Sequence, residues 1–241
     1  MIFMKKFVYL LILSCIALNF SSCEKIKGKG DVVAQIRNIT GFNGISLAID
    51  ATVYFSPDTS FYVEVRAQQN ILDILETVIG PNNTLIIRYK SGVIVGTHEP
   101  IKIFIAAPCI QLLTISGSGD ILVDTPWHNQ YLQASISGSG NIQVSQVEAA
   151  ELQVTISGSG NVLAITGEVS YQVLKISGSG NIDLEGVTSD TTYTTISGSG
   201  NITVWVTTLL DATISGSGNV YYKGDPTINT HISGSGSVIK I

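Results

Sequence analysis

The chain has 241 residues, a formal net charge of −5 and only 13% charged residues, about half of the usual quarter for a soluble domain. Residues 115–241 contain no arginine and three lysines. Nucleic-acid-binding proteins carry a basic patch or stripe, so this composition argues against nucleic acid as a partner.

The first 22 residues have the parts of a secretory signal peptide. Lys5 and Lys6 precede an apolar run of 14 residues, and Ser-Ser-Cys follows, ending at Cys23. The run is shorter than the roughly 20 residues that span a bilayer, and Ser-Ser-Cys resembles a lipobox. We therefore predict a lipoprotein signal peptide at 1–22, lipidation of Cys23 and a tether at 23–34. The alternatives are lipidation at Cys15 and an ordinary signal peptide with a chance cysteine.

Cysteine content and the predicted lipid indicate where the mature chain resides. Only Cys23 and Cys109 remain after processing, so no disulfide framework holds the fold. Cys109 lies in an apolar stretch, which predicts a buried, inert thiol. A lipid on Cys23 would anchor the protein to a membrane of the cell envelope, and we predict the outer membrane. The sequence does not decide between its periplasmic and surface faces.

Residues 35–114 predict an irregular β region. Apolar and polar residues alternate in several short runs, as they do in strands. Residues 70–79 have apolar positions at helical spacing and predict one short helix. We expect this region to cap the N-terminal end of the structure formed by residues 115–241, as solenoids require. The predicted strands cover residues 44–50, 52–55, 61–66, 84–90 and 101–106.

Residues 115–241 are built from an internal repeat. The sequence Ile-Ser-Gly-Ser-Gly occurs seven times, at spacings of 21, 20, 20, 20, 18 and 18 residues. Runs between the copies alternate apolar and polar residues with period two, which indicates strands. A single turn cannot bury its own apolar face, so the turns must stack. The sequence predicts an all-β parallel β-helix, a solenoid of about 18–21 residues per turn.

The residues within each copy have predicted roles in the turns. Both glycines are expected at corners that need positive φ, which glycine adopts without steric cost. The position after the second glycine is asparagine in five copies, and stacked amides would hydrogen-bond along the axis. This predicts a structural asparagine ladder formed by Asn141, Asn161, Asn181, Asn201 and Asn219.

Several motifs outside and inside the repeats resemble one known family. The motifs that carry the resemblance are residues 50–55, 65–67, 70–72 and 85–87, Pro108 leading into residues 113–120, and the Ser-Gly-Ser-Gly-Asn repeats. In these motifs the chain is similar to the head GIN domain family, which carries an auto-transporter adhesin label. The resemblance covers about residues 35–235. It implies an envelope protein, often a lipoprotein, and offers no functional residues to carry over.

Three function classes follow from these observations. The first is a non-enzymatic structural or binding module, adhesive or glycan-binding, whose candidate surface residues are Trp127, Trp205 and Tyr221. The second is a periplasmic partner in envelope signalling. The third is a polysaccharide-active enzyme, for which Asp183 and Glu185 are the only acidic pair in the repeats that lies two residues apart on one strand. Fold analogy alone supplies no catalytic site, so we predict no catalytic residue, no metal site and no cofactor.

The end of the predicted stack raises a question of partners. Residues 237–241 are predicted to form the final strand, and an unpaired strand edge recruits other chains. We therefore expect self-association at this edge, or docking of a partner protein there.

Overall fold

The computed structural model describes residues 25–241, and Cys23 and the predicted signal peptide lie outside these residues. The described chain forms one 16-stranded sheet, wound into a β-solenoid of about 6 turns. The predicted all-β solenoid is confirmed. The elements in chain order are β1 (Val32–Ile36), β2 (Gly44–Leu47), β3 (Thr52–Pro57), β4 (Tyr62–Gln68), α1 (Gln69–Leu72), β5 (Leu75–Ile79), a 3₁₀ turn (Pro81–Asn83), β6 (Thr84–Tyr89), β7 (Lys102–Ala107), β8 (Leu112–Ile115), β9 (Asp120–Ile136), β10 (Asn141–Gly158), β11 (Asn161–Gly178), β12 (Asn181–Gly198), β13 (Ile202–Gly216), β14 (Val220–Lys223), β15 (Thr227–Gly234) and β16 (Val238–Lys240).

The repeats stack in parallel with equivalent residues side by side. Asn141 of β10 pairs with Asn161 of β11, and Ile156 pairs with Ile176. Because alternate residues of a strand point to opposite faces, the repeat isoleucines form a continuous internal row. Burying each one contributes about 1.5–3 kcal/mol. The members of this row that are fully buried are Ile115, Ile136, Ile156, Ile176, Ile196 and Ile214.

Both glycines of every corner after the first approach the preceding turn too closely for a Cβ, and the first glycine has a second reason to be glycine. The first glycine has a φ between +133° and +153° in the last five copies, as at Gly178 (+146°). The second glycine does not, but a Cβ on Gly180 would lie only 2.0 Å from the carbonyl oxygen of Gly160. The prediction of positive φ therefore holds for the first glycine of these copies and not for the second. Close approach of successive turns applies to both, since a Cβ on Gly178 would lie 2.3 Å from Gly158 O.

The N-terminal region inserts one turn between two others. Strand β2 pairs in parallel with both β6 and β8, and β3 pairs in parallel with both β7 and β9. Beyond the β6–β7 turn, β4 and β5 run antiparallel to β7 and β6, and β1 runs antiparallel to β4. The antiparallel strands make the sheet mixed at this end. Together with α1 they cap the parallel stack.

Two local predictions in this region differ from the structure. The helix α1 ends at Leu72, and Leu75–Ile79 is strand β5 rather than a continued helix. The part of the predicted tether that is described is packed on the cap. Ile26 N donates to Ile94 O at 2.9 Å, Gly28 N donates to Thr97 O at 2.9 Å, and β1 begins at Val32. Backbone pairing thus orders a segment whose Lys-Gly composition indicated a free linker.

Cys109 is exposed, so the prediction of a buried thiol is wrong. It follows β7 and lies outside the alternating pattern of the strands, and Asn129 Nδ2 lies 2.9 Å from its Sγ. No helix within residues 25–241 has the length and apolar character needed to cross a membrane.

Candidate binding groove around Trp205

The asparagines after the repeat corners form a continuous hydrogen-bonded stack. Asn181 Nδ2 donates to Asn161 Oδ1 at 3.0 Å, and Asn181 Oδ1 accepts the backbone N–H of Asn201 at 3.1 Å. The amide oxygens of four asparagines hold the main chain of the next turn in this way, namely those of Asn161, Asn181, Asn201 and Asn219. The same side-chain contact links all members predicted from the sequence, namely Asn141, Asn161, Asn181, Asn201 and Asn219.

The two ends of this stack carry different residues for a physical reason. Asp120 precedes the first asparagine, and its Oδ1 accepts both the Nδ2 and the backbone N–H of Asn141, at 2.8 and 3.1 Å. A carboxylate suffices there because Oδ1 acts only as an acceptor. At the other end Ser237 N donates to Asn219 Oδ1 at 3.0 Å. The stack lies at the surface and ties the turns together. Its side-chain amides are hydrogen-bonded to one another, so we assign the stack a structural role.

Trp127 is not a surface residue, which corrects its assignment as a candidate binding residue. It is 2% exposed, and its Nε1 donates to Ile110 O at 2.8 Å. It pairs with Val147, which occupies an internal row. The first repeat has one residue more than the second, which shifts Trp127 by one position and hides this equivalence in the sequence. Aligning the repeats with that extra residue removed would have placed Trp127 inside.

Trp205 and Tyr221 do lie on one outer face of the solenoid. Trp205 of β13 is 40% exposed and is the register partner of Lys223 in β14. Tyr221 is half-buried and lies two residues before Lys223 on the same strand. The structure therefore brings together two of the three aromatic residues selected from the sequence.

A shallow groove of about 360 Å³ opens beside the Trp205 ring. We call this the Trp205 groove. Its residues come from four successive turns, so it runs along the solenoid axis over about 14 Å at the usual spacing of strands. Ile165, at 54% exposed, contributes further apolar surface. The lining residues are Leu163, Ala164, Ile165, Asp183, Glu185, Gly186, Trp205 and Lys223.

The polar side chains of the Trp205 groove are fixed by contacts with one another. Lys223 Nζ lies 2.6 Å from Glu185 Oε1 and 6.0 Å from the centroid of the Trp205 ring, at the limit of a cation–π contact. Asp183 Oδ1 accepts the backbone N–H of Glu185 at 3.1 Å. The groove thus combines an aromatic ring with two carboxylates and one ammonium group.

The change of repeat length creates the Trp205 groove. Leu184 of β12 pairs with Val204 of β13, but the next pair joins Thr188 to Trp205. Three residues of β12 therefore bulge where β13 has none. Gly186 lies in this bulge, and a Cβ there would be 1.9 Å from Ile165 O, so the bulge fits tightly against β11. The step between 20-residue and 18-residue turns leaves the Trp205 ring uncovered.

A second aromatic pair lies elsewhere on the surface. Tyr171 and Tyr193 are both partly exposed, and their ring centroids are 5.4 Å apart. They belong to neighbouring strands, and Val173 is the register partner of Tyr193. Both tyrosines are also readable from the sequence as candidate surface rings on neighbouring repeats. Within residues 25–241, no group of three or more His, Cys, Asp or Glu side chains is placed to hold a metal ion.

Comparison with known proteins identifies the family. The profile of the family described as "Putative auto-transporter adhesin, head GIN domain" matches residues 41–226, most of the chain. The chain belongs to this family. The resemblance inferred from the repeats and the N-terminal motifs is therefore confirmed. The sequence matches no curated protein.

Solved structures share this head GIN fold. One is titled a putative adhesin from Bacteroides fragilis, with TM-score 0.84 and 24% identity over 90% of this chain and 100% of that chain. Another is titled a putative lipid binding protein from Parabacteroides distasonis, with TM-score 0.75 and 25% identity over 90% and 100%. A third is titled a putative adhesin from Parabacteroides merdae, with TM-score 0.71 and 22% identity over 90% and 99%. At these identities the likeness supports the fold.

Proposed function

We propose that this protein is a non-enzymatic binding module of the cell envelope, adhesin-like, anchored by lipid on Cys23 in the outer membrane. The observation that carries the proposal is the Trp205 groove on a rigid stack of strands. Exposed aromatic surface beside fixed polar groups is typical of recognition sites. The family's adhesin label agrees with an envelope location.

The acidic pair near Trp205 favours binding over catalysis. Glycoside hydrolysis needs one carboxyl group as a proton donor and a second as nucleophile or base. Glu185 instead forms an ion pair with Lys223, and Asp183 accepts a backbone hydrogen bond from Glu185. Both carboxylates thus support the shape of the groove.

The structure offers little support for a lipid inside the solenoid, the other activity that a neighbour's title suggests. A small internal cavity near Trp127 and Leu184 is lined by apolar side chains. Its volume of about 10 Å³ is roughly that needed for one water molecule. An acyl chain does not fit in this cavity, so we place binding on the outer surface.

The proposal is tested with the mature chain immobilised against arrays of glycans and extracellular matrix proteins. We expect retention of a defined class of ligand, lost in Trp205→Ala with Tyr221→Ala and kept in the matched control Tyr171→Ala, which alters another face. Chromatography of the bound glycans would detect shortening. Absence of any ligand, or cleavage of a glycan, would overturn the proposal of a non-enzymatic binding module.

A further inference from the structure

The Trp205 groove has the chemistry of a sugar site. An aromatic face packs against the C–H groups of a pyranose ring, while charged side chains beside it exchange hydrogen bonds with the hydroxyl groups. Trp205 supplies the ring, and the carboxylates of Asp183 and Glu185 supply acceptors. Lys223, the register partner of Trp205 on the neighbouring strand β14, supplies a donor.

Charge narrows the ligand class. Lys223 neutralises Glu185 through the 2.6 Å ion pair, so Asp183 leaves the groove with one net negative charge. An acidic sugar or a phosphate would be repelled, since the repeats that surround the groove are acidic as well. A cationic side chain of a partner protein would compete with Lys223, which already lies near the Trp205 ring. A neutral, hydroxyl-rich ligand meets neither obstacle.

The length of the Trp205 groove narrows the class of ligand further. Residues from β11, β12, β13 and β14 line it in sequence along the axis, over about 14 Å. This exceeds a single sugar ring, and Ile165 provides apolar surface at the end away from Lys223. An extended chain of sugars laid along the axis would contact both ends.

From this geometry we infer that the Trp205 groove binds a segment of a neutral oligosaccharide, with one pyranose ring stacked on Trp205 and its hydroxyl groups held by Asp183, Glu185 and Lys223. The inference rests on the proposed binding function and names its ligand class. Acidic glycans, partner proteins and lipid surfaces are the competing occupants.

Tryptophan fluorescence reports binding at this groove directly. The sequence has two tryptophans; Trp127 is buried and Trp205 is exposed. In Trp127→Phe the remaining emission comes from Trp205 alone. Titration of the mature chain with neutral gluco-, manno- and xylo-oligosaccharides should give a saturable change for at least one series. Affinity should fall by at least about tenfold for the matching monosaccharide.

Variants separate this site from the rest of the surface. By calorimetry, Trp205→Ala should abolish binding, and Asp183→Asn and Lys223→Gln should each weaken it about tenfold or more. Tyr171→Ala should bind like wild type. Circular dichroism and thermal melting show whether each variant is folded, and Trp205→Phe, which keeps a ring, should retain part of the affinity if Trp205→Ala is unstable.

The outcomes distinguish this inference from the broader proposal. Equal or tighter binding of oligogalacturonides, or a Trp205 response only to lipid vesicles, would overturn the neutral-glycan assignment. Capture of a protein that is lost in Trp205→Ala would also overturn it, while leaving the binding module in place. Glycan binding that Trp205→Ala does not affect would move the site elsewhere and refute the groove.

Discussion

Each asparagine in the middle of the stack makes three side-chain hydrogen bonds to its neighbours. Asn181 donates to Asn161 and accepts two N–H groups of Asn201. Asp120 at the first position accepts two and donates none to the stack. All of these side chains lie at the surface, where water can replace part of a lost hydrogen bond. Each bond therefore contributes at most about 0.5–1.5 kcal/mol to the free energy of unfolding.

We predict that Asn181→Ala lowers the free energy of unfolding by about 1–2 kcal/mol, and that Asp120→Ala lowers it by less. The difference follows from the number of bonds removed and from the turns on both sides of Asn181. Urea denaturation of both variants measures it. A larger loss for Asp120→Ala would leave the asparagines as turn formers without a cooperative role.

Glycine replacements test why every repeat has glycine at both corner positions. Gly117 and Gly178 occupy equivalent positions, but a Cβ on Gly117 has its nearest neighbour at 3.6 Å, whereas a Cβ on Gly178 would lie 2.3 Å from Gly158 O. We predict that Gly117→Ala changes stability by less than about 0.5 kcal/mol, and that Gly178→Ala is severely destabilised or does not fold. Thermal melting compares them. Gly178 also has a φ of +146° and Gly117 is not among the positive-φ glycines, so equal effects would show that neither contact between turns nor positive φ explains the glycine at this corner.

Side-chain chemistry at repeated positions was predictable, and its exceptions were not. The order Asp, five asparagines, then Ser is readable from the sequence, because each position has the same offset from the corner. Trp127 was misplaced because an extra residue in the first repeat breaks that offset. The Trp205 groove depends on a bulge in β12, whose position the spacing of 20 and 18 residues indicates but does not fix.

At the scale of elements, two polar side chains lie next to each other in an internal row of the stack. Gln172 and Thr192 are fully buried between Leu152 and Leu210 in register. Thr192 Oγ1 donates to Gln172 Oε1 at 3.1 Å and lies 2.7 Å from Ser189 Oγ. Gln172 Nε2 has no hydrogen-bond partner among the described residues. A partly satisfied buried network is expected to cost stability.

We predict that Thr192→Val alone destabilises the protein by about 1–3 kcal/mol, because it leaves the Gln172 carbonyl unpaired. Gln172→Leu with Thr192→Val should recover this loss or exceed wild-type stability, since the row becomes apolar throughout. A double-mutant cycle in urea, with Gln172→Leu as the third variant, measures the coupling. Additive losses in the double variant would contradict the prediction and indicate a packing role for both polar side chains.

Strands were easier to predict than their connections. Period-two alternation located β2, β3, β4, β6 and β7 to within a few residues, since one face of each is buried. The helix predicted over residues 70–79 is wrong beyond Leu72, because the apolar spacing in this segment fits both a short helix and a strand. Strand β5 is fixed by antiparallel pairing with β6, from Leu75 opposite Tyr89 to Ile79 opposite Leu85. Such pairing is a tertiary property that local spacing does not encode.

At the scale of the whole molecule, charge is unevenly distributed. Residues 25–114 contain eight lysines and arginines against seven acidic residues, a net charge of +1, whereas residues 115–241 contain three against ten, a net charge of −7. The cap also holds the segment that begins two residues after Cys23. Anionic membrane surfaces repel the acidic repeats, so a lipid on Cys23 would keep the cap at the membrane and direct the repeats away.

We predict that Cys23 carries the lipid, although it lies outside the described residues. Metabolic labelling with a fatty-acid analogue should mark the wild-type protein and Cys109→Ala, the matched control for the other cysteine of the mature chain. Cys23→Ala should be unlabelled and should leave the membrane fraction. Equal labelling of Cys23→Ala would refute lipidation at this residue.

The last described turn has two strands, β15 and β16, which differ in how readily a second chain could pair with them. Ile228 and Ile232 of β15 continue the internal rows of Leu210 and Ile214, yet they are 38% and 42% exposed. On β16, Lys240 pairs with Tyr222 and so occupies an inward-facing position. It is hydrogen-bonded to Asp225, which raises the pKa of Lys240. An inward-pointing charge on an edge strand is one way in which proteins block pairing with other chains.

We therefore predict that any self-association at this end occurs through β15. The mature chain should form a weak dimer in sedimentation equilibrium, because β15 pairs only with β13 among residues 25–241 and so presents a strand edge beside exposed isoleucines. Ile228→Lys with Ile232→Lys should abolish the dimer, whereas Ile239→Lys, on the outer face, should leave it unchanged. Lys240→Ile should strengthen it by removing the blocking charge. A wild-type chain that stays monomeric at high concentration, with Lys240→Ile monomeric as well, would show that the exposed rows of β15 do not pair with a second copy.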